Sequence, residues 1–225
     1  MFTQRYLDDL MARMTYNSNA IENNTLTLNE TISIVLYKTT PNGKDLREVY
    51  EAVNHAEAVN LMMNKIDNHE EMNYKTILDL HYVLMDKLDM NRGQFKSNVN
   101  MIVGADFETA SPAQVPYLID NWCHDLNKKL THTNDPIVIN EIVAEKHIEF
   151  ERIHPFNDGN GRLGRLLMNY TLIQQGLPPF VVPKENKLQY INYLSEQNTS
   201  RLSKMIHEQC LLEKERAIKF GVNLD

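Results

Sequence analysis

The chain has 225 residues, 23 Lys and Arg against 30 Asp and Glu, and a 42% hydrophobic fraction, enough to bury one core of ordinary size. Its eight Gly and eight Pro exclude collagen-like and low-complexity classes, and no uncharged apolar run of about 18 residues offers a membrane span. A net charge of −7, two cysteines (Cys123 and Cys210) and a start without an apolar leader point to a cytoplasmic domain with no nucleic-acid or membrane partner.

Helical periodicity dominates. Residues 44–67 carry Leu46, Val49, Tyr50, Val53, Ala56, Val59 and Met63 at three- and four-residue spacings, an amphipathic stripe. Residues 73–90 continue in kind through Ile77, Leu80, His81, Leu84 and Leu88. Residues 92–108 break the pattern. They alternate loosely, hold β-branched side chains and are bracketed by Gly93 and Gly104, which reads as a short hairpin or extended flap. Pro112 opens another helical pattern through Val115, Leu118, Ile119, Trp122 and Leu126. Asp135-Pro136 starts the next, which runs through Val138, Ile142 and Val143 to Ile153. Helical spacing returns from Arg162 to Gln175 with Gly176 as a stop, and again from Ser200 to Phe220. The expected fold is all-α, a helical bundle with a short β-hairpin flap, with no internal repeat and no interdomain linker.

The chemistry concentrates in His154-Pro155-Phe156-Asn157-Asp158-Gly159-Asn160-Gly161-Arg162-Leu163-Gly164-Arg165. Pro155 disfavours helical geometry at His154, so the preceding helix stops there. Asp158 to Gly161 is turn chemistry, and a helix follows at once. A glycine-bearing loop at a helix N-terminus favours an anion, because orphan N–H groups and the helix dipole point at it. Arg162 and Arg165 are three apart and leave the same helix face, where both guanidinium groups can clamp phosphate oxygens. Asp158 offers a hard carboxylate of the kind Mg²⁺ takes beside substrate phosphates. His154, with an ordinary pKa of ~6.5, can accept a proton near neutrality. Taken singly, each is the ordinary furniture of a turn or a solvated helix face; their conjunction within twelve residues points to a phosphate site.

The segment resembles, position for position, the Fic family signature His-x-Phe-x-(Asp/Glu)-Gly-Asn-Gly-Arg-x-x-Arg. That resemblance implies the mostly helical Fic fold and transfer of AMP from ATP to a Ser, Thr or Tyr hydroxyl of a protein, itself included, with Mg²⁺. It makes His154 the base and Asp158 the Mg²⁺ carboxylate. Gly159, Asn160 and Gly161 become the anion cradle, with Leu163 and Gly164 in the same ATP-binding run. Arg162 is assigned to the β-phosphate and Arg165 to the γ-phosphate. Beyond the signature, Pro178 to Pro183 and the stretch from Tyr190 to Asn198 resemble the family's base-binding region, with Tyr190 and Asn198 as the adenine contacts. Val103, Gly104, Ala105 and Asp106 fall where the family docks an extended target segment by main-chain pairing. A homodimer is expected from the family alone.

A second motif, Ser18-Asn19-Ala20-Ile21-Glu22-Asn23, is similar to the family's inhibitory pattern (Ser/Thr)-x-x-x-Glu-(Gly/Asn). Ser18 would cap a short helix and Glu22, one turn on, would pair with Arg165 where the γ-phosphate belongs. The implied organisation is an N-terminal segment over residues 1–40 with the inhibitory helix and a catalytic domain over 41–225, in one compact unit. Removal of AMP from a modified protein through Glu22, and a silent nucleotide-binding or interaction module, are the alternatives. A metal hydrolase built on His147, Glu151, His154 and Asp158 ranks below them, because Pro155 breaks the helix before Asp158. Phosphoryl transfer with a reversed nucleotide also ranks low, because family members of that type carry Lys where Gly161 stands.

Overall fold

The computed structural model describes residues 2–101 and 107–223. Nine α-helices and one short 3-10 turn account for the regular structure among the described residues. They are α1 (Gln4–Ile21), α2 (Leu28–Val35), α3 (Leu46–Asp67), α4 (Tyr74–Leu84), α5 (Val115–Leu130), α6 (Pro136–Ile153), α7 (Asn160–Gln174), α8 (Lys187–Ser195) and α9 (Thr199–Lys219), with the 3-10 turn at Lys184–Asn186.

The bundle is organised around α6 and α7. Of the fifteen residues of α7, twelve are buried, so that helix is interior, while α6 buries Ile139, Val143, His147 and Phe150 and keeps a polar face at Glu141, Glu145 and Glu149. α5 and α9 pack on α6, while α3, α4 and α1 pack on α7. Both central helices begin and end where local chemistry requires. Asp135 caps α6 by accepting from the Ile137 N–H, and Pro136 stands in its first turn, where its missing N–H is no loss. At the other end His154 sits in the left-handed region (φ 50°, ψ 62°), and its N–H bonds Phe150 O at 2.9 Å.

Several boundaries differ from the sequence reading. α1 is an 18-residue helix capped by Thr3, so Ser18 lies in its last turn and Glu22 is its C-cap; Ser18 starts no short helix of its own. The helix after the flap region begins at Val115, and Pro116 rather than Pro112 occupies its first turn. α4 ends at Leu84, and residues 85–93 form turns although the apolar spacing runs on. Within 92–108 the described residues form turns and bends with no strand, and the expected flap positions Val103, Gly104, Ala105 and Asp106 lie outside the described residues. No described helix is long and apolar enough to cross a membrane, and Cys123 and Cys210 are buried free thiols.

α1 is fastened to α9 by a partly buried charge network. Arg13 donates both terminal nitrogens to Glu213, at 2.8 and 2.6 Å, and its Nε to Asp9 at 2.8 Å. Tyr6 Oη donates to the same Glu213 at 2.9 Å, and Arg216 closes the ring on Asp9. Burial works against the Asp9 anion, yet Arg216 and Arg13 together hold its carboxyl below the usual range. That contribution is complete above the unfolded-state pKa and is lost as pH falls through the folded one, so it disappears only in acid. Removing one partner of such a set strands the others. Glu213→Ala is expected to lower unfolding stability by about 3–5 kcal/mol in urea denaturation at pH 7.

Candidate active site

The loop between α6 and α7 carries the site, and its shape is set by bonds within the loop and from two neighbours. Asn160 folds its side chain back on the loop: Oδ1 accepts from the Phe156 N–H at 2.9 Å and Nδ2 donates to Phe156 O at 2.8 Å. Asn160 is therefore spent on holding the loop. Phe156 is buried and stacks on His81 of α4, centroids 3.7 Å apart. His81 Nδ1 accepts from the Gly93 N–H at 2.9 Å, so its proton is on Nε2, which donates to Asp158 O at 3.0 Å. Burial drives His81 down to about 4, which keeps it neutral.

Gly159 caps α7 at φ 80°, and a Cβ there would come within 2.7 Å of Met85 Sδ. It is required both for its left-handed backbone and for the close approach of the α4 end.

On the other side, Lys96 is 3% exposed and has no carboxylate partner in its bonds. Its Nζ donates to Asn100 Oδ1 at 2.7 Å, Thr109 Oγ1 at 3.0 Å and Ile153 O at 3.3 Å, the last a carbonyl at the C-terminal end of α6 where a cation is favoured. The Lys96 N–H bonds Pro155 O at 2.8 Å, and Asn100 Nδ2 bonds Phe156 O at 2.8 Å. The residues that flank the expected flap are thus tied to the main chain of the catalytic loop.

His154 is partly exposed. Its Nδ1 lies 3.3 Å from Glu151 O, which can only accept, so Nδ1 carries the proton and Nε2 keeps its lone pair. Burial lowers its pKa to about 4, opposed by that carbonyl bond and helped by the charge of Lys96. Asp158 is half-exposed at the loop's outer edge. Burial pushes its pKa up, but Arg162, the Gly159 N–H (2.6 Å to Oδ1) and Arg47 outweigh it, and the carboxyl sits below its usual value.

Two arginines of α7 form the floor. Arg162 is 2% exposed, and neither its Nε nor its Nη1 has a hydrogen-bond partner; its nearest acids are Asp158 at 3.3 Å and Glu51 of α3 at 3.6 Å. A buried guanidinium with two donor groups left over has the chemistry to take an anion. Arg165 is the opposite case. Its Nε donates to Ser18 Oγ at 3.0 Å, and its Nη2 donates to Ser18 O at 2.9 Å and to Glu22 Oε1 at 2.7 Å. Glu22 enters over Gly161, where a Cβ would lie 2.5 Å from Glu22 Oε1. Asn23, at φ 70°, accepts from Lys187 Nζ at 2.7 Å. Beneath Arg165 a buried His147, lowered to about 3 by burial and the Arg165 charge, meets Tyr190 Oη at 2.5 Å.

The structure thus brings His154, Asp158, Arg162, Arg165, Ser18 and Glu22 together. It treats other expected residues differently. Leu163 is wholly in the core, with its N–H bonded to Gly159 O, and Gly164 faces Glu151 and His147 of α6. Tyr190 is 0% exposed, and a ring with no surface has no face on which adenine could stack. Asn198 is partly exposed and caps α9 through Arg201 N at 3.1 Å. His147 and Asp158 point at different partners, so the hydrolase quartet does not converge.

His81, Lys96, Asn100, Arg47 and Glu51 are the site residues that sequence reasoning missed. Only His81, a histidine inside an apolar stripe, left a signal in the pattern.

For a metal the fit is specific. The described residues hold no group of three His, Cys, Asp or Glu able to cage an ion, while a single half-exposed carboxylate beside an anion cradle suits Mg²⁺, which completes its shell with phosphate and water.

Residues 71–172 match the Fic/DOC family. The chain is 33% identical over 184 residues to the protein adenylyltransferase Fic of Drosophila erecta, covering 81% of this chain and 36% of that one. It is 32% identical to the Drosophila melanogaster protein of the same name, with the same coverage. This chain therefore spans little more than a third of the length of those curated relatives. Among solved structures, a Fic domain-containing signalling protein from Bacteroides thetaiotaomicron superposes with TM-score 0.84 at 25% identity, over 96% of this chain and 90% of the other. The C. elegans Fic-1 structure gives 0.83 at 26% identity, over 98% and 67%.

Two outcomes follow from the geometry. Because the folded-state pKa of His154 lies near 4, its ring should be neutral from pH 6 upward, and histidine NMR shifts should titrate only as pH approaches 4. Gly161→Ala should push Glu22 off Arg165, read as faster amide exchange in the last turn of α1 with the rest of the fold protected.

Proposed function

The chain belongs to the Fic/DOC family, and on that premise we propose that it transfers AMP from ATP to a protein hydroxyl and is restrained by its own first helix. The observation that carries the reading is the contrast between the two arginines: Arg162 is buried with Nε and Nη1 unpartnered, whereas Arg165 is held by Ser18 and Glu22.

In the reaction, Nε2 of His154 accepts the proton of the target hydroxyl as its oxygen bonds to the α-phosphorus. The bond from the α-phosphorus to the bridging oxygen breaks, and pyrophosphate leaves with its charge on Arg162 and Arg165. Asp158 would hold a divalent metal, which would supply charge neutralisation to the phosphates. The α7 N-terminus and Gly159 hold the phosphates close, and Lys96, Asn100 and His81 fix the loop that aims His154 and Asp158. Partners of this reading are ATP and a protein carrying a Ser, Thr or Tyr hydroxyl, with the adenine edge near Asn198. Glu22 blocks the reaction by sitting on the guanidinium meant for the γ-phosphate, so that ATP enters in a pose without in-line attack.

The test is autolabelling with Mg²⁺ and α-labelled ATP. Releasing one charge-assisted contact of ~1.5–3 kcal/mol should raise labelling about ten- to a hundredfold in Glu22→Gly. Adding His154→Ala to that variant should remove a factor of about 10²–10⁴. Equal labelling of Glu22→Gly and wild type would overturn the restraint. Absence of label in Glu22→Gly despite measured ATP binding would overturn the transfer itself.

A further inference from the structure

Besides Lys96, a second cation in the site lies outside the signature. Arg47 stands in the first turn of α3, its side chain 54% exposed, and reaches across to Asp158 Oδ2 at 2.8 Å. Its Nε remains bonded to Glu51 Oε1 at 3.2 Å. Glu51 is nearly buried, accepts from Asn24 Nδ2 at 2.9 Å and faces Arg162 at 3.6 Å. Asp158 therefore has no free oxygen, because Oδ1 takes the Gly159 N–H and Arg162 while Oδ2 takes Arg47. Three arginines (47, 162 and 165) meet three carboxylates (22, 51 and 158) in this cluster, while Lys96 adds a further cation on the other side of the loop.

We propose that Arg47 is a removable counter-ion for Asp158 that ties metal binding to nucleotide binding. This coupling rests on Asp158 as the metal carboxylate. A bare divalent ion that approaches Asp158 competes with the Arg47 bond and leaves that guanidinium beside a new cation, with no anion to receive it. A metal arriving with a triphosphate brings that anion. Arg47 then turns about its Nε–Glu51 bond, its outer nitrogens pass to the phosphates, and Oδ2 is released to the metal. The two ligands bind cooperatively because one guanidinium must be rehoused, and coupling of this kind is reciprocal. Glu51 is the pivot, and its near-burial keeps the arginine at the mouth of the site throughout.

The experiment is Mn²⁺ titration followed by electron paramagnetic resonance, in the Glu22→Gly protein so that the γ-phosphate seat is open. It is run with and without a non-hydrolysable ATP analogue, and labelling activity does not enter the readout. Loss of an exposed charge pair predicts that Arg47→Gln binds bare Mn²⁺ about two- to fivefold more tightly. The extra Mn²⁺ affinity conferred by the analogue should shrink by a similar factor. Arg47→Lys, which keeps the charge but loses the fork, should fall between, and serves if Arg47→Gln does not fold by circular dichroism. Asp158→Asn separates the two claims. Unchanged Mn²⁺ binding in that variant would overturn the metal role of Asp158. Weakened binding there, with equal bare-ion affinity and equal analogue effect in Arg47→Gln and its parent, would overturn the role of Arg47 alone.

Discussion

Two guanidinium groups buried side by side on α7 are the constraint that shapes this molecule. A buried charge is tolerable only when it is paired and hydrogen-bonded, and Arg162 and Arg165 lie at 2% and 6% exposure. Everything around them answers to that demand. Glu22 and Ser18 come in from α1, Glu51 from α3, and Asp158 from the loop before α7. His55 and His147 stand close behind, held neutral at about 3, with the charge of Arg165 adding to their burial in both cases. A neutral imidazole adds no further positive charge to a region already crowded with it.

The bundle can be understood as the frame that makes this burial affordable. α6 and α7 lie at the centre, with α5 and α9 packed on the first and α1, α3 and α4 on the second, so the loop that joins them is anchored at both ends. Phe156 and His81 plug the loop from below, while Lys96 and Asn100, themselves bonded to Thr109, tie its carbonyls to the irregular stretch after Gly93. His154 is held in left-handed backbone, a conformation that costs a residue with a Cβ about 1–2 kcal/mol. The covering bonds are what keep it there.

Much of this was legible in the chain. The ends of α6 and α7 were marked by Asp135-Pro136, His154-Pro155 and Gly176, each acting through local backbone chemistry that no tertiary contact needs to override. The signature loop announced its anion site for the same reason. α1 was harder to see, because its stripe of Tyr6, Leu10 and Met14 is interrupted by Ser18, a polar residue placed where the spacing asks for an apolar one. That interruption is the contact with Arg165, so the pattern failed where the helix meets the site. Pro112 and Pro116 both offer a helix start, and only the packing of Val115 into the core decides between them. Arg47, Glu51, Lys96 and Asn100 left no trace at all. Each is an ordinary polar residue in sequence, and its meaning lies in a partner tens of residues away.

The mounting of α1 has a consequence for how such a restraint would yield. Its first three turns are clamped to α9 through Tyr6, Asp9 and Arg13, whereas Glu22 lies past the last helical residue, steadied by the Asn23–Lys187 and Asn24–Glu51 bonds. Helix ends fray, and they fray one turn at a time. The helix need never leave the bundle, because unwinding a single turn is enough to carry Glu22 away from Arg165. A leak through such a restraint would have the temperature coefficient of one opening turn, far shallower than that of unfolding, and warming would loosen it by degrees long before the bundle melts. A restraint mounted in this way would behave as a dimmer rather than a switch.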